Sequence, residues 1–550
     1  MLAAFLSAVV GTVALAMPPQ EPPLTRGASG NLLLRGARIH TGTHVDWPGA
    51  LSSMHGKIRR GESLDPAVDA RAIDLPGAFL LPGLIDAHGH LLGLGGMLDE
   101  VDLVGTTSYA EVIARAVAKA STLPKGSWVI GRGWDQNDWS DRAMPRHQDL
   151  SAAIPDHPVW LTRIDGHAGL ANRVAMQLGG LGKDSVVGAG GEILRDEVGE
   201  PTGVLVDDAM AAIKVPPLSP EQIRQRLLAA QRECLRHGLT CVHDAGVDRT
   251  TLDVMLALHK EGKWALRTYV LLDPNERELI ARGPWQTPDA RIVVRAVKLY
   301  ADGALGSRGA SLLEPYADLP GKRGLVSLPK GMLLEVAQRC ADSGMQLCTH
   351  AIGDAANKAV LDAYAAVKIG GGIAPLRFRI EHAQVIAEDD FARFAQLGVM
   401  PSMQPTHLTS DMPWAAERLG PERVLRAYAW RRFHGLGVVV PFGSDFPVES
   451  VDPRKGLFAA VTTRGERGGP AGGYRPDQKL SREQAIRGFT WHAAHAMFAE
   501  RDLGTIELGK RADFTVFDRD LCTCPDDELL QAKVLLTVIG GQVAYDGRGQ

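Results

Sequence analysis

The chain has 550 residues, of which 45% are hydrophobic and 23% charged, and a formal net charge of −4. That is the profile of an ordinary soluble globular protein, long enough for a large barrel with an accessory domain. No basic stripe or tail supports nucleic-acid binding. The six cysteines (Cys234, Cys241, Cys340, Cys348, Cys522 and Cys524) are too sparse for a disulfide scaffold.

The first 17 residues, MLAAFLSAVVGTVALAM, form an apolar run. A membrane-spanning helix needs about 20. Ala14-Leu15-Ala16 fits a small-residue cleavage site, and a proline-rich stretch follows. Residues 1–17 are therefore expected to be a signal peptide, and the mature protein to be secreted or periplasmic. The first basic residue is Arg26, so a cytoplasmic protein with a disordered leader is the alternative. No cysteine follows the apolar run, which argues against a lipoprotein anchor.

Short β-type runs at 31–42 and 71–83 have counterparts at 511–520 and 533–547. Neither end has enough strands to bury a face alone, so 30–82 and 500–550 are expected to pair in one small β-sandwich. Between them, 83–499 reads as a barrel. Apolar runs that end in polar residues recur at 81–90, 238–246, 266–273, 295–303, 345–354, 377–385, 398–407 and 437–445. Helix-like segments intervene, such as 219–238, which opens with Ser-Pro-Glu and ends at a glycine. Alternating β and α with continuous apolar strands implies a parallel sheet covered on both faces. Eight such units predict a (β/α)₈ TIM-like barrel, with functional residues at the C-terminal strand ends. The interval from about 95 to 218 is too long for one βα unit and is read as an inserted subdomain.

The first of these runs ends in Asp86-Ala-His88-Gly-His90. Residues i and i+2 of a strand point to one side, so His88 and His90 can converge on a metal ion. Later strand ends supply Lys298, His350, His382 and Asp445. Four histidines, a carboxylate and a lysine at one barrel mouth suit hydrolysis, because a metal generates a nucleophile from water and stabilises an oxyanion. Lys298 is the odd member, since a protonated amine repels a cation. Its carbamate, formed with CO₂, would be anionic and could bridge two metals. The alternative is a buried lysine paired to Asp302.

The set resembles the amidohydrolase superfamily, in particular the amidohydrolase-3 branch around YtcJ-like proteins and N-substituted formamide deformylases. The matching text includes LPGLIDAHGHLLGLG, GWDQNDW, DGHAGLAN, VKLYADGALGSRGA, THAIGDAA, RIEHAQ, MQPTH, GSDFPV and LGTIELGKRADFTVFD. The likeness runs from about 30 to 547. It implies a binuclear centre: His88 and His90 on one metal, His350 and His382 on the other, carboxylated Lys298 between them. Asp445 would bind the first metal and act as general base for a bridging hydroxide. Two zinc ions are the expected cofactor, with iron or manganese as alternatives, plus the CO₂-derived carbamate on Lys298. Trp134, Asp135, His167, Asn172, Arg308 and His407 are weaker candidates for substrate contact, because packing explains them as well.

The leading expectation is a metal-dependent hydrolase of non-peptide carbon–nitrogen bonds in linear amides, formamides or N-acyl compounds. A mononuclear, deaminase-like site with a structural Lys298 is the second reading. A catalytically silent secreted binding or regulatory protein is the third, disfavoured because a binder has no need of Asp445 as base. The expected partner is a small molecule, without nucleic acid or a stable membrane anchor; self-association is left open.

Overall fold

The computed structural model describes residues 31–549 apart from 44–46, 48, 60–70, 165, 188–190 and 330. The apolar leader lies outside the described residues. A parallel barrel has strands β1 (Leu84–Gly89), β2 (Leu239–Val247), β3 (Arg267–Leu272), β4 (Ile292–Tyr300), β5 (Gln346–Ala351), β6 (Arg379–His382) and β7 (Met400–Ser402). They pair in chain order. Every residue of β1 and β3 is buried, which is why these runs read as unbroken apolar text: side chains pack on both faces of the sheet. Ala296 and Cys348 belong to a buried cluster with Tyr269 and Leu271. Two residues further along the same strand faces come Lys298 and His350.

The eighth place holds no regular strand. Single bridges, Met403 to Phe442 and Gly89 to Phe446, seat the segment around 442–446 between β7 and β1. The Ala87 N–H donates to Phe442 O at 2.9 Å, and the Asp445 N–H to His88 O at 2.7 Å. Pro441 has no N–H to give a ladder, and Gly443 lies so close to β1 that a Cβ would come within 2.5 Å of the His88 nitrogen. The barrel is thus seven regular strands closed by an irregular eighth segment.

Helices cover the barrel. The helix Pro220–Arg236 is representative: Ser219 and Gln222 form a capping box, proline occupies the first turn, and Ile223, Leu227, Ala230 and Cys234 are buried. These positions recur at helical spacing, so one stripe packs on the sheet. After β1 the chain builds a six-stranded mixed sheet, in spatial order Val101–Asp102, Val129–Trp134, Val159–Arg163, Ala168–Ala171, Pro201–Asp207 and Gly191–Arg195. The two chain ends share a five-stranded sheet of Arg38–Ile39, Phe79–Pro82, Phe514–Phe517, Val534–Ile539 and Gln542–Asp546. A four-stranded sheet packs against it through Leu34, Leu51, Ile58, Leu80, Phe514 and Val538. Among the described residues no helix is long and apolar enough to cross a membrane.

Candidate metal centre

Asp86 sets the position of the site. Its buried carboxylate accepts from the His88 N–H (3.0 Å), the Ser444 N–H (3.1 Å) and the Ser444 hydroxyl (2.6 Å). It therefore clamps the end of β1 to the residue before Asp445. Burial raises the Asp86 carboxyl to about 7. Asp445 (φ 63°) and His382 (φ 71°) are non-glycine residues in the left-handed region, an arrangement costing about 1–3 kcal/mol each that persists only where surrounding contacts impose it.

The ring nitrogens are sorted by their partners. His88 turns Nδ1 to Glu381 Oε2 at 2.5 Å. His90 turns Nδ1 to the Ala245 carbonyl at 3.0 Å, and His382 turns Nδ1 to Gln404 Oε1 at 2.8 Å. For His88 and His382 these acceptors set the tautomer with the proton on Nδ1 and a lone pair on Nε2, whereas His90 has an acceptor at each ring nitrogen, the second being Asp445. His88 Nε2 lies 3.5 Å and His90 Nε2 3.0 Å from Asp445 Oδ1. Ligand atoms of His88, His90 and Asp445 all lie within 4.8 Å of one another. Burial lowers the His88 imidazole to about 4, and pushes His382 well below its ordinary value. Both rings are thus neutral, as metal ligation requires. Burial alone would raise the Asp445 carboxyl, but the His90 hydrogen bond and the nearby His88 hold it well below the usual range. Neutral imidazoles with free Nε2 lone pairs around an ionised carboxylate fit a divalent cation such as zinc.

Behind His88 stands a buried chain of charges that the sequence reading did not single out. Glu381 Oε2 accepts from Arg379 Nη2 at 2.9 Å, and Arg379 also donates to the Ala87 carbonyl and the Ser402 hydroxyl. Burial would raise the Glu381 carboxyl; Arg379, then His88, hold it well below its ordinary value. The signal was present in RIEH, where a Glu precedes a ligand-type His, but only the barrel brings it under His88. Glu381→Gln is expected to weaken metal binding about 10–100-fold, read by competition with a chelator. An unchanged affinity would mean that Glu381 only fills space.

Lys298 is fully buried, and its Nζ lies 2.9 Å from His88 Nε2. It does not pair with Asp302. The Asp302 carboxylate instead accepts from the backbone N–H groups of Ser311, Ile352 and Gly353, locking the loops after β4 and β5. His350 turns Nε2 to within 3.4 Å of Asp302. Burial lowers the Lys298 pKa.

A cavity of about 440 Å³ opens above these residues, lined by His90, Lys298, His350, His382, His407 and Asp445 among others. Among the described residues His407 Nε2 has no hydrogen-bond partner, and it lies 3.7 Å from Asp445 Oδ2. The other weaker candidates do not line this cavity. Trp134 is in the core of the six-stranded sheet, its indole N–H bonded to Leu161 O. Asp135 pairs with Arg163 at 2.9 Å. Asn172 caps a helix and holds Ile154 and His157. His167 pairs with Asp207 at 2.7 Å, and Arg308 with Asp318 at 2.7 Å. Packing and ion pairing within their own loops account for all five.

A parallel barrel whose strand ends gather His, His and Asp in this way defines a metal-dependent hydrolase. The chain matches the model of the Amidohydrolase family over residues 71–545 and belongs to that family, hydrolases of carbon–nitrogen bonds. It is 34% identical over 492 residues to the putative amidohydrolase YtcJ of Bacillus subtilis, covering 87% of this chain and 91% of that one. It is 28% identical over 508 residues to the N-substituted formamide deformylase of Arthrobacter pascens, covering 88% and 91%. The crystal structure of an uncharacterized metal-dependent hydrolase from Pyrococcus furiosus superposes with a TM-score of 0.76 at 29% identity, covering 90% of this chain and all of the other (100%).

Proposed function

We propose that the enzyme hydrolyses linear amides, formamides or N-acyl compounds, with Asp445 as the proton-transferring base. The observation that carries this reading is the convergence of His88, His90 and Asp445 within 4.8 Å beneath a cavity of about 440 Å³. The formamide part draws on the deformylase relative. In this reading His88, His90 and Asp445 would hold one divalent ion, probed first as zinc, with iron and manganese as alternatives. His350 and His382 would hold a second, and Lys298, as its carbamate, would serve as a ligand shared by the two. A bound divalent cation lowers the pKa of water and polarises a carbonyl oxygen.

The chain's own residues supply the rest. Asp445 starts ionised, so it can take a proton from the attacking water and return it to the leaving nitrogen. Glu381 and the Ala245 carbonyl hold the His88 and His90 rings in place while this happens. His407, on the cavity wall with no hydrogen-bond partner for its Nε2 among the described residues, is assigned to the substrate. Lys298 is suited to carbamate formation because burial favours its neutral amine, which adds to CO₂ and releases a proton.

One observation favours a mononuclear, deaminase-like alternative. Among the described residues only His88, His90 and Asp445 gather as a three-ligand group, while His350 turns Nε2 towards Asp302. Metal analysis separates the two: about two ions per chain against one. For the binuclear reading, Lys298→Ala is expected to lose bound metal and activity together. Formate or acetate, with bicarbonate absent, should partly restore both by filling the vacated bridge. Wild-type metal content and turnover in Lys298→Ala would make the lysine structural.

A further inference from the structure

One wall of the catalytic cavity carries a charge that the hydrolytic chemistry does not use. The short helix Pro405–Asp411 presents His407, Ser410 and Asp411 to the cavity at helical spacing i, i+3 and i+4. Asp411 is anchored by one oxygen only: Gln384 donates to Oδ2 at 2.7 Å and the Tyr428 hydroxyl donates to the same atom at 2.8 Å. Its Oδ1 accepts nothing from the described residues. Glu449, also in the lining, takes the hydroxyl of the adjacent Ser410 on Oε1 at 2.5 Å. The side walls are aromatic, Trp414 and Tyr300.

Equally informative is what balances these carboxylates. Lys298 is the one lysine or arginine among the described residues of the lining, and its amine is at the floor, against His88. Arg308 and Arg418, carried by neighbouring loops, are both turned to Asp318. A substrate ending in a carboxylate would meet Asp411 and Glu449 with no guanidinium to receive it, a like-charge contact that rejects such a ligand. A substrate ending in an ammonium group would find two carboxylates, one already held in place by two donors.

We infer that the enzyme is selective for cationic substrates, amides whose far end carries an ammonium group received by Asp411 and Glu449. This rests on the reading of the cavity as an amide-hydrolysing site and names the class of substrate it takes. Asp411 and Glu449 act on binding and selectivity, away from the reacting bond.

Three formamides of equal chain length test it: N-(4-aminobutyl)formamide, N-pentylformamide and 4-formamidobutanoate, with cationic, neutral and anionic ends. The metal-loaded enzyme is expected to rank kcat/KM in that order, with at least about tenfold between the cation and the neutral compound, the value of one charge-assisted hydrogen bond. In Asp411→Asn/Glu449→Gln the cation-to-neutral ratio should fall by about tenfold. Dissociation constants for the same three compounds are measured in parallel by calorimetry. Turnover without a preference for the cation, or equal binding of the anion, overturns the inference and leaves the amidohydrolase reading standing. Ranked binding without turnover of any member supports the inference and counts against formamides as the substrates.

Discussion

Asp445→Asn is expected to lower kcat/KM by at least about 10²-fold, or about 2.7 kcal/mol of transition-state stabilisation, with the fold intact. The substitution keeps size and one oxygen but removes the charge and the capacity to accept a proton. His88, His90, His350 and His382 remain, so much of the metal should stay bound. The Asp86–Ser444 clamp, which sets the backbone next to position 445, is also untouched. Loss of activity with retained metal would assign Asp445 to proton transfer rather than to ligation alone. Activity within a few-fold of wild type, on any substrate the wild type turns over, would remove Asp445 from the mechanism.

Asp513→Asn is expected to destabilise the protein by about 3–5 kcal/mol, the cost of leaving a buried charge without its partner. Arg267, at the start of β3, donates through Nε to Asp513 Oδ2 at 2.5 Å and through Nη2 to Oδ1 at 3.0 Å. Both residues are buried, and the Gly540 N–H completes the carboxylate's bonds at 2.7 Å. The pair joins the barrel to the sheet shared by the chain ends, so the variant should unfold at markedly lower denaturant concentration. Burial alone would raise the Asp513 carboxyl; Arg267 outweighs it and holds the pKa below the ordinary value. A carboxyl whose pKa is depressed by folding stabilises above its unfolded value, about 3.9, and loses that contribution as pH falls through the folded value. The gap between wild type and Asp513→Asn should therefore be full near pH 7 and shrink below about pH 4. A gap under about 1 kcal/mol at pH 7 would show that the pair contributes little net stability.

Much of this molecule was legible in one dimension. A strand buried on both faces must be apolar throughout, and a helix on its surface must show a stripe, so the runs at 238–246, 266–273 and 345–354 marked β2, β3 and β5 directly. The spacing of His88 and His90 announced a shared direction, and the text LPGLIDAHGH through GSDFPV announced the family. The eighth strand was less legible: VVVPFGSD has a strand's composition, yet Pro441 lacks the donor and Gly443 sits where no side chain fits against His88.

What only the tertiary structure decided is which polar residue meets which. Lys298 and Asp302 lie four positions apart, but opposite tasks separate them: the lysine faces His88, and the aspartate fastens three backbone amides of neighbouring loops. Trp134 and Asn172 look like site residues in text and prove to be packing and capping residues of the six-stranded sheet. Glu381 is marked in sequence only by its place before His382 and becomes the partner of His88 from 293 positions away. Periodicity is a local consequence of burial, so the sequence carries it openly. Hydrogen-bond partnership depends on side chains that only the closed barrel brings within 3 Å of each other, and no local pattern encodes it.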